Sequence, residues 1–214
     1  RVSGMSDTFH AAAPDELDGL SLARFVSRLG VEATTPATFV WNGECSLAPA
    51  FDLWLIGTFG PILAPALIEV YRLATAYRLD EIAAIDRRID ASLDASAKTR
   101  SLAAAKAFLE GKDEMKANRE WTRFADLVAR GTAPGHTPTL FALQTALYHL
   151  PLVPTLAAYA WFELESGLPR SYRDLAGTRE EVLRAFAATL PHVRVAMERD
   201  CDEFADGFPR LRAI

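Results

Sequence analysis

With 214 residues, half of them hydrophobic, the chain has enough apolar mass for a sizeable core and lies far from the low-hydrophobicity, high-charge signature of disorder. Its net charge of −5 comes from 23 Lys and Arg against 28 Asp and Glu, with the basic residues scattered rather than gathered in a stripe, which argues against a nucleic-acid binder. Cys45 and Cys201 belong to no CxxC pair or zinc-spaced Cys/His cluster, a usage that fits a reducing cytoplasm.

The segment Arg1–Ala13 lacks the apolar h-region of a secretory signal and is expected to be a flexible N-terminus. The remainder, 14–214, is expected to form one all-α domain, a helical bundle of about nine or ten helices. From Asp15 to Leu29, Leu17, Leu20, Phe25, Val26 and Leu29 keep helical spacing, and Gly30 stands where a helix ends. Thr38–Trp41 is a β-branched and aromatic patch before the Asn42-Gly43 turn, an isolated extended segment with no partner strand elsewhere. The longest apolar stretch, Leu53–Ile68, is interrupted by Gly57, Gly60, Pro61 and Pro65, so it reads as a buried helical hairpin rather than a membrane span. It should comprise a helix over Phe51–Phe59 and a second from Pro61 to Tyr77 with Pro61 at N1.

Asp80 is expected to cap the clearest amphipathic helix, in which Ile82, Ile85, Ile89 and Leu93 share one face and Asp86, Arg87, Arg88 and Asp90 the other. Helices over Lys98–Leu109 and Lys116–Arg130 follow, closed by Gly111 and Gly131. The segment Thr132–Pro138 is the most loop-like in the chain, and Pro138 and Pro154 open helices through Leu150 and Ser166. Thr178-Arg-Glu-Glu181 is a capping box starting a helix that Pro191 bends or divides.

A catalytic reading needs an activated group with a partner, and no HExxH, GxGxxG, P-loop or GxSxG motif occurs. His136 sits in the Pro/Gly loop, within reach of a metal or substrate, or simply precedes the helix at Pro138. His149 reads as a core-edge residue and His192 as solvated. Asp86, Asp90 and Asp94 recur every four residues; an acidic metal face would suit a terpene-synthase-like or haem-oxygenase-like enzyme, but the simplest reading is a solvated face with i,i+4 spacing. The acidic cluster around Cys201 could hold a borderline divalent ion, against the plainer reading of an acidic surface. A helical maturation partner or ligand-sensing protein is the other alternative. Trp41, Trp54, Trp121 and Trp161 read as core residues before interface anchors.

Four stretches carry a family pattern. They are Leu53-Trp54-Leu55 leading to Tyr71-Arg72-Leu73-Ala74; Leu79–Asp86 followed by a helix with Ser101, Ala105, Phe108 and Leu109; His136-Thr-Pro138-Thr-Leu-Phe141-Ala142; and Leu156-Ala-Ala-Tyr159-Ala-Trp161-Phe162. In order and spacing, over roughly 53 to 210, the chain resembles the UreF-type urease accessory proteins. The family's N-terminal segment has no counterpart before Trp54, and its glycine-glutamine segment is reduced to Leu175–Glu181, with Glu181 where a glutamine would fall. The resemblance implies a non-catalytic scaffold for nickel insertion that binds other accessory proteins, a GTPase and apo-urease, with no permanently bound cofactor and nickel implied as cargo. It places partner contacts around Arg173, Thr178 and Glu181, leaves His136 and Cys201 as metal candidates, and leaves room for a homodimer.

Overall fold

A computed structural model describes residues 36–110, 113–173 and 178–205. Among these residues every regular element is a helix and no strand occurs, as the composition and periodicity predict. The elements are α1 (Leu47–Trp54), a π-helical stretch (Leu55–Leu63), α2 (Ala64–Thr75), α3 (Leu79–Ser92), α4 (Ala95–Leu109), the short α5 (Asp113–Lys116), α6 (Arg119–Ala129), α7 (Thr137–Leu147), α8 (Leu152–Gly167), the short α9 (Arg170–Arg173), α10 (Thr178–Ala187) and α11 (Thr189–Ala205). The expected helix over Asp15–Leu29 lies outside the described residues, so the expected total of nine or ten is not decided by them.

The expected hairpin around Pro61 is instead one continuous helix, Leu47–Thr75, of 29 residues. Pro61 has no N–H and its ring clashes with α-helical winding behind it. Here the helix widens rather than breaks: the Ala64 N–H bonds to the Phe59 carbonyl, five residues back, the spacing of a π-turn. This helix is long and apolar enough to cross a membrane by length and composition, yet half of its most apolar window is buried inside the fold. Its C-terminal half, α2, packs against α3, α7, α8 and α11. Ala64, Leu67 and Val70 are fully buried there.

Helix starts follow capping chemistry, at positions the sequence pattern only partly anticipates. Asp94 Oδ1 accepts from the backbone N–H groups of Ser96 and Ala97, both at 2.8 Å, so α4 begins at Ala95 rather than Lys98. Asn118 Oδ1 does the same for Glu120 and Trp121. Asp80 does not cap α3: the N-cap position belongs to Arg78, and Asp80 lies in the first turn, where a carboxylate still favours the positive end of the helix dipole. Pro191 follows a division between α10 and α11, as expected. His149 lies beyond the end of α7, exposed and left-handed at φ 55°, rather than on a core edge.

The four tryptophans are all buried. Trp54 stacks on Phe51 with ring centres 5.2 Å apart, and Phe39 meets both rings edge-on. Phe108, Phe141, Tyr159 and Phe162 form a second aromatic group joining α4, α7 and α8. Edge-to-face pairs of this kind add about 0.5–1.5 kcal/mol each beyond their burial.

The segment Thr38–Trp41, expected to be extended, forms no strand: it bends at Thr38 and lies against a helix end. The Trp41 N–H donates to the Gly167 carbonyl at 3.1 Å, and a Cβ on Gly167 would lie 2.5 Å from Phe39 Cδ1 and 2.7 Å from the Phe39 carbonyl oxygen. Only glycine lets the strap lie this close. Gly167→Ala is expected to destabilise the fold by about 1–3 kcal/mol, as overpacking does. At about 2–4 °C per kcal/mol for a chain of this size, thermal unfolding should register the loss.

Candidate functional site

Two buried carboxylates organise the polar interior. The first is Asp86 on α3, fully buried despite the solvated face expected of its four-residue repeat. Helix α7 is buried along almost its whole length, from Thr137 to Ala146, so its N-terminal N–H groups have no water to bond. Asp86 Oδ2 accepts from Gly135 N–H at 2.5 Å, and Oδ1 accepts from His136 N–H at 3.1 Å and from the Thr139 hydroxyl at 2.6 Å. Thr137 N–H donates to Ser101 Oγ at 3.2 Å, and Pro138 brings no N–H to satisfy. Burial pushes the Asp86 carboxyl above the usual carboxylate range, while the Thr139 and Gly135 hydrogen bonds oppose the shift.

His136 occupies the N-cap position of α7 with its ring fully buried. Its Nε2 lies 3.1 Å from Asp90 Oδ1, and Asp90 Oδ2 also pairs with Lys98 Nζ at 3.1 Å. The His136 hydrogen bond, then that of Lys98, holds the Asp90 carboxyl below its ordinary value. Arg87 adds a further tie from α3 by donating to the Thr132 carbonyl at 2.6 Å. The loop that looked accessible in sequence is therefore gripped by Asp86, Arg87 and Asp90, on two consecutive turns of α3.

The three aspartates do not converge on a reacting centre. Asp86 serves α7, Asp90 holds the His136 ring and Asp94 caps α4. Among the described residues no group of three or more His, Cys, Asp or Glu side chains is placed to hold a metal ion. Cys201 lies on α11, with its side chain outside the described set.

The second buried carboxylate is Glu163 on α8, a residue that the sequence reading passes over. Oε2 accepts from Thr38 N–H at 2.8 Å and Phe39 N–H at 3.0 Å, and Oε1 from the Thr38 hydroxyl at 2.9 Å and the Tyr159 hydroxyl at 2.5 Å. Trp54 Nε1 donates to Thr38 Oγ1 at 3.1 Å. Burial raises the Glu163 carboxyl, and burial followed by the neighbouring Glu163 charge raises the Tyr159 hydroxyl well above its ordinary value. A glutamate inside an apolar helix, four residues after a tyrosine, is the sequence signal that could have flagged this pair.

At the C-terminal end, Trp41 packs edge-on against Tyr172 with ring centres 4.5 Å apart. Tyr172 donates to Glu181 across the α9–α10 connection, and burial together with that carboxylate pushes the Tyr172 hydroxyl up to about 12. Of the predicted partner-contact residues, Glu181 is thus engaged inside the protein. Arg173 and Thr178 have described backbones only.

The UreF family model matches residues 44–167. The chain belongs to the UreF family. It is a urease accessory protein of the UreF type, and the match begins just before α1 and ends at the last residue of α8. Three whole stretches named in the sequence analysis, and the 53–74 run, fall inside it; Arg173, Thr178, Glu181 and Cys201 lie beyond. No curated protein and no solved structure shows significant similarity to the chain.

Replacing Asp86 by alanine strands three donors in a dry interior, at about 1–3 kcal/mol for each group left unmet. Asp86→Ala should therefore lose about 3 kcal/mol or more in urea unfolding. Glu163 supplies a pH test. Its folded pKa is raised, so the folded state holds more protons than the unfolded state between the ordinary carboxylate value and the raised one. Its stabilising contribution is full below the ordinary value and is lost as the pH rises through the raised one. In Glu163→Gln an amide NH2 meets donors and titration is removed. The stability gap between the parent and this variant should be widest at the acid end and narrow as the pH rises, measured by urea unfolding across the series.

Proposed function

We propose that the chain is a non-catalytic scaffold for urease maturation, holding another accessory protein and a nickel-carrying GTPase near apo-urease. The family membership over residues 44–167 carries this reading. Nickel is cargo here: the chain would bring partners together in the cytoplasm, as a monomer or homodimer, and keep no cofactor of its own. A rigid helical body suits that work, because a preorganised surface loses little entropy on binding.

The partner surface we assign is the C-terminal end, α9–α11, where Arg173, Thr178 and Glu181 lie. Leu183 and Val195 are exposed there at 38% and 45%, apolar side chains left in solvent on helices that carry Arg184 and Arg194 in ion pairs with Glu180 and Glu198. Tyr172 and Trp41 tie this end to the core, so it is presented in a fixed orientation.

The test is co-elution of the purified full chain with the other urease accessory proteins. Leu183→Asp combined with Val195→Asp should weaken the complex at least about tenfold, the effect of losing about 1.4 kcal/mol at an interface, with thermal stability nearly unchanged. Absence of any complex with the parent chain would sink the scaffold reading. A complex that survives the double substitution would move the contact surface elsewhere.

A further inference from the structure

Three helices end in the same hydrogen-bonded turn. After α6, Thr132 N–H bonds to the Leu127 carbonyl and Gly131 N–H to that of Val128, both at 2.9 Å, and Gly131 is left-handed at φ 71°. This is the Schellman arrangement, whose turning residue is ordinarily glycine because a Cβ crowds the following carbonyl oxygen. Helix α2 closes in the same way, with Arg78 N–H on Leu73 and Tyr77 N–H on Ala74. So does α7, with Leu150 N–H on Thr145 and His149 N–H on Ala146. Here the turning residues carry side chains. Tyr77 at φ 58° and His149 at φ 55° are the two non-glycine residues with positive φ among the described residues.

Burial does not repay that strain, since Tyr77 is 61% exposed and His149 also faces solvent. Left-handed backbone at a residue with a side chain is concentrated at sites that bind something. The two residues belong to one surface. Helix α2 packs on α7, and the Tyr71 hydroxyl donates to the Leu150 carbonyl at 2.6 Å, next to His149. Tyr77 follows about 10 Å beyond Tyr71 on the same helix, so both fit within a contact patch of roughly 800 Å².

Arg78 and Glu81 beside Tyr77 pair with each other, so the patch offers an aromatic ring and hydrogen-bonding groups rather than a strong field or a broad apolar face. Transient interfaces are small and polar, whereas lasting ones are more apolar. The C-terminal face with Leu183 and Val195 is of the apolar kind. It is also remote: His192 of α11 lies 4.0 Å from Asp52, near the start of the long helix, and Tyr77 lies roughly 35 Å further along that helix.

Resting on the scaffold reading above, we infer that Tyr77 and His149 form a second contact surface, where α2 and α7 end, for the GTPase. That partner arrives with its cargo and leaves, while the accessory protein stays on the C-terminal face.

The test is Tyr77→Gly combined with His149→Gly in the full chain. Glycine relieves the left-handed strain, so the thermal unfolding midpoint should rise by at least about 2 °C. Affinity for the purified GTPase, measured by calorimetry, should fall at least about tenfold, and affinity for the accessory protein should not change. A purely structural role for the two side chains predicts the opposite shift in stability. GTPase affinity unchanged in the variant, a midpoint that falls, loss of both partners together, or a parent chain that binds the accessory protein but never the GTPase would each overturn the inference. A parent chain that binds neither protein defeats the scaffold reading itself, and this surface with it.

Discussion

A helix whose first turn is buried has to find hydrogen-bond acceptors inside the protein, and the arrangement around α7 follows from that requirement. Asp86 meets it from a different helix, taking the two N–H groups that precede α7 and one hydroxyl within it. A carboxylate is the economical choice, since two oxygens can accept several donors and bonds to a charged acceptor are about twice as strong as neutral ones. The consequence reaches outward. Because α7 is fixed to α3 at its start, its aromatic side, with Phe141, is fixed against Phe108, Tyr159 and Phe162, and α4 and α8 inherit their positions.

Glu163 solves the same problem for a different segment. The strap Ala37–Trp41 runs through the core without a neighbouring strand, so its N–H groups need acceptors of another kind. Glu163 takes two of them and the Thr38 hydroxyl, while Tyr159 completes its coordination. The cost of burying each carboxyl appears in the upward pull on its pKa, and is offset only because every partner is a donor. Such a site specifies geometry more than it adds net stability, because an apolar core of equal volume would carry no desolvation penalty. Fixing the strap also fixes Trp41 and through it Tyr172, which adds to the direct packing of α10 and α11 on the long helix and α8.

Helix type and approximate position were legible in sequence because apolar periodicity and end signals are local properties. Ile82, Ile85 and Ile89 face the core as their spacing predicts, and Gly131 ends α6 as a C′ glycine at φ 71°. What was not legible depends on partners distant in the chain. Asp86, Asp90 and Asp94 look equivalent in a four-residue repeat, yet successive residues at that spacing rotate around a helix by about 40° per step. That drift takes one inside, leaves one at the edge and puts the last past the helix end as a cap. Pro61 was misread for a related reason: the rule that proline breaks a helix assumes α-winding, and the chain escapes it by widening into π-turns. His136 looked reachable because its loop is rich in Pro and Gly, but Gly135 at φ 82° is what turns the backbone so that two successive N–H groups meet one carboxylate.

The extent of the family match has a physical counterpart. Residues 44–167 contain the long helix, its neighbours α3, α7 and α8, α4 packed on α7, and both buried carboxylates; they hold most of the groups that must satisfy one another in a dry interior. A substitution in such a set leaves a donor or acceptor stranded, so pattern persists there. The helices after Gly167 attach by apolar packing on the long helix and α8, with Val182, Phe186, Val193 and Ala196 buried and Phe186 edge-on to Trp161, interactions that many sequences can supply. Leu183, Leu190 and Val195 stand outside that packing, so variation at these exposed positions can change the surface offered without disturbing the core beneath it.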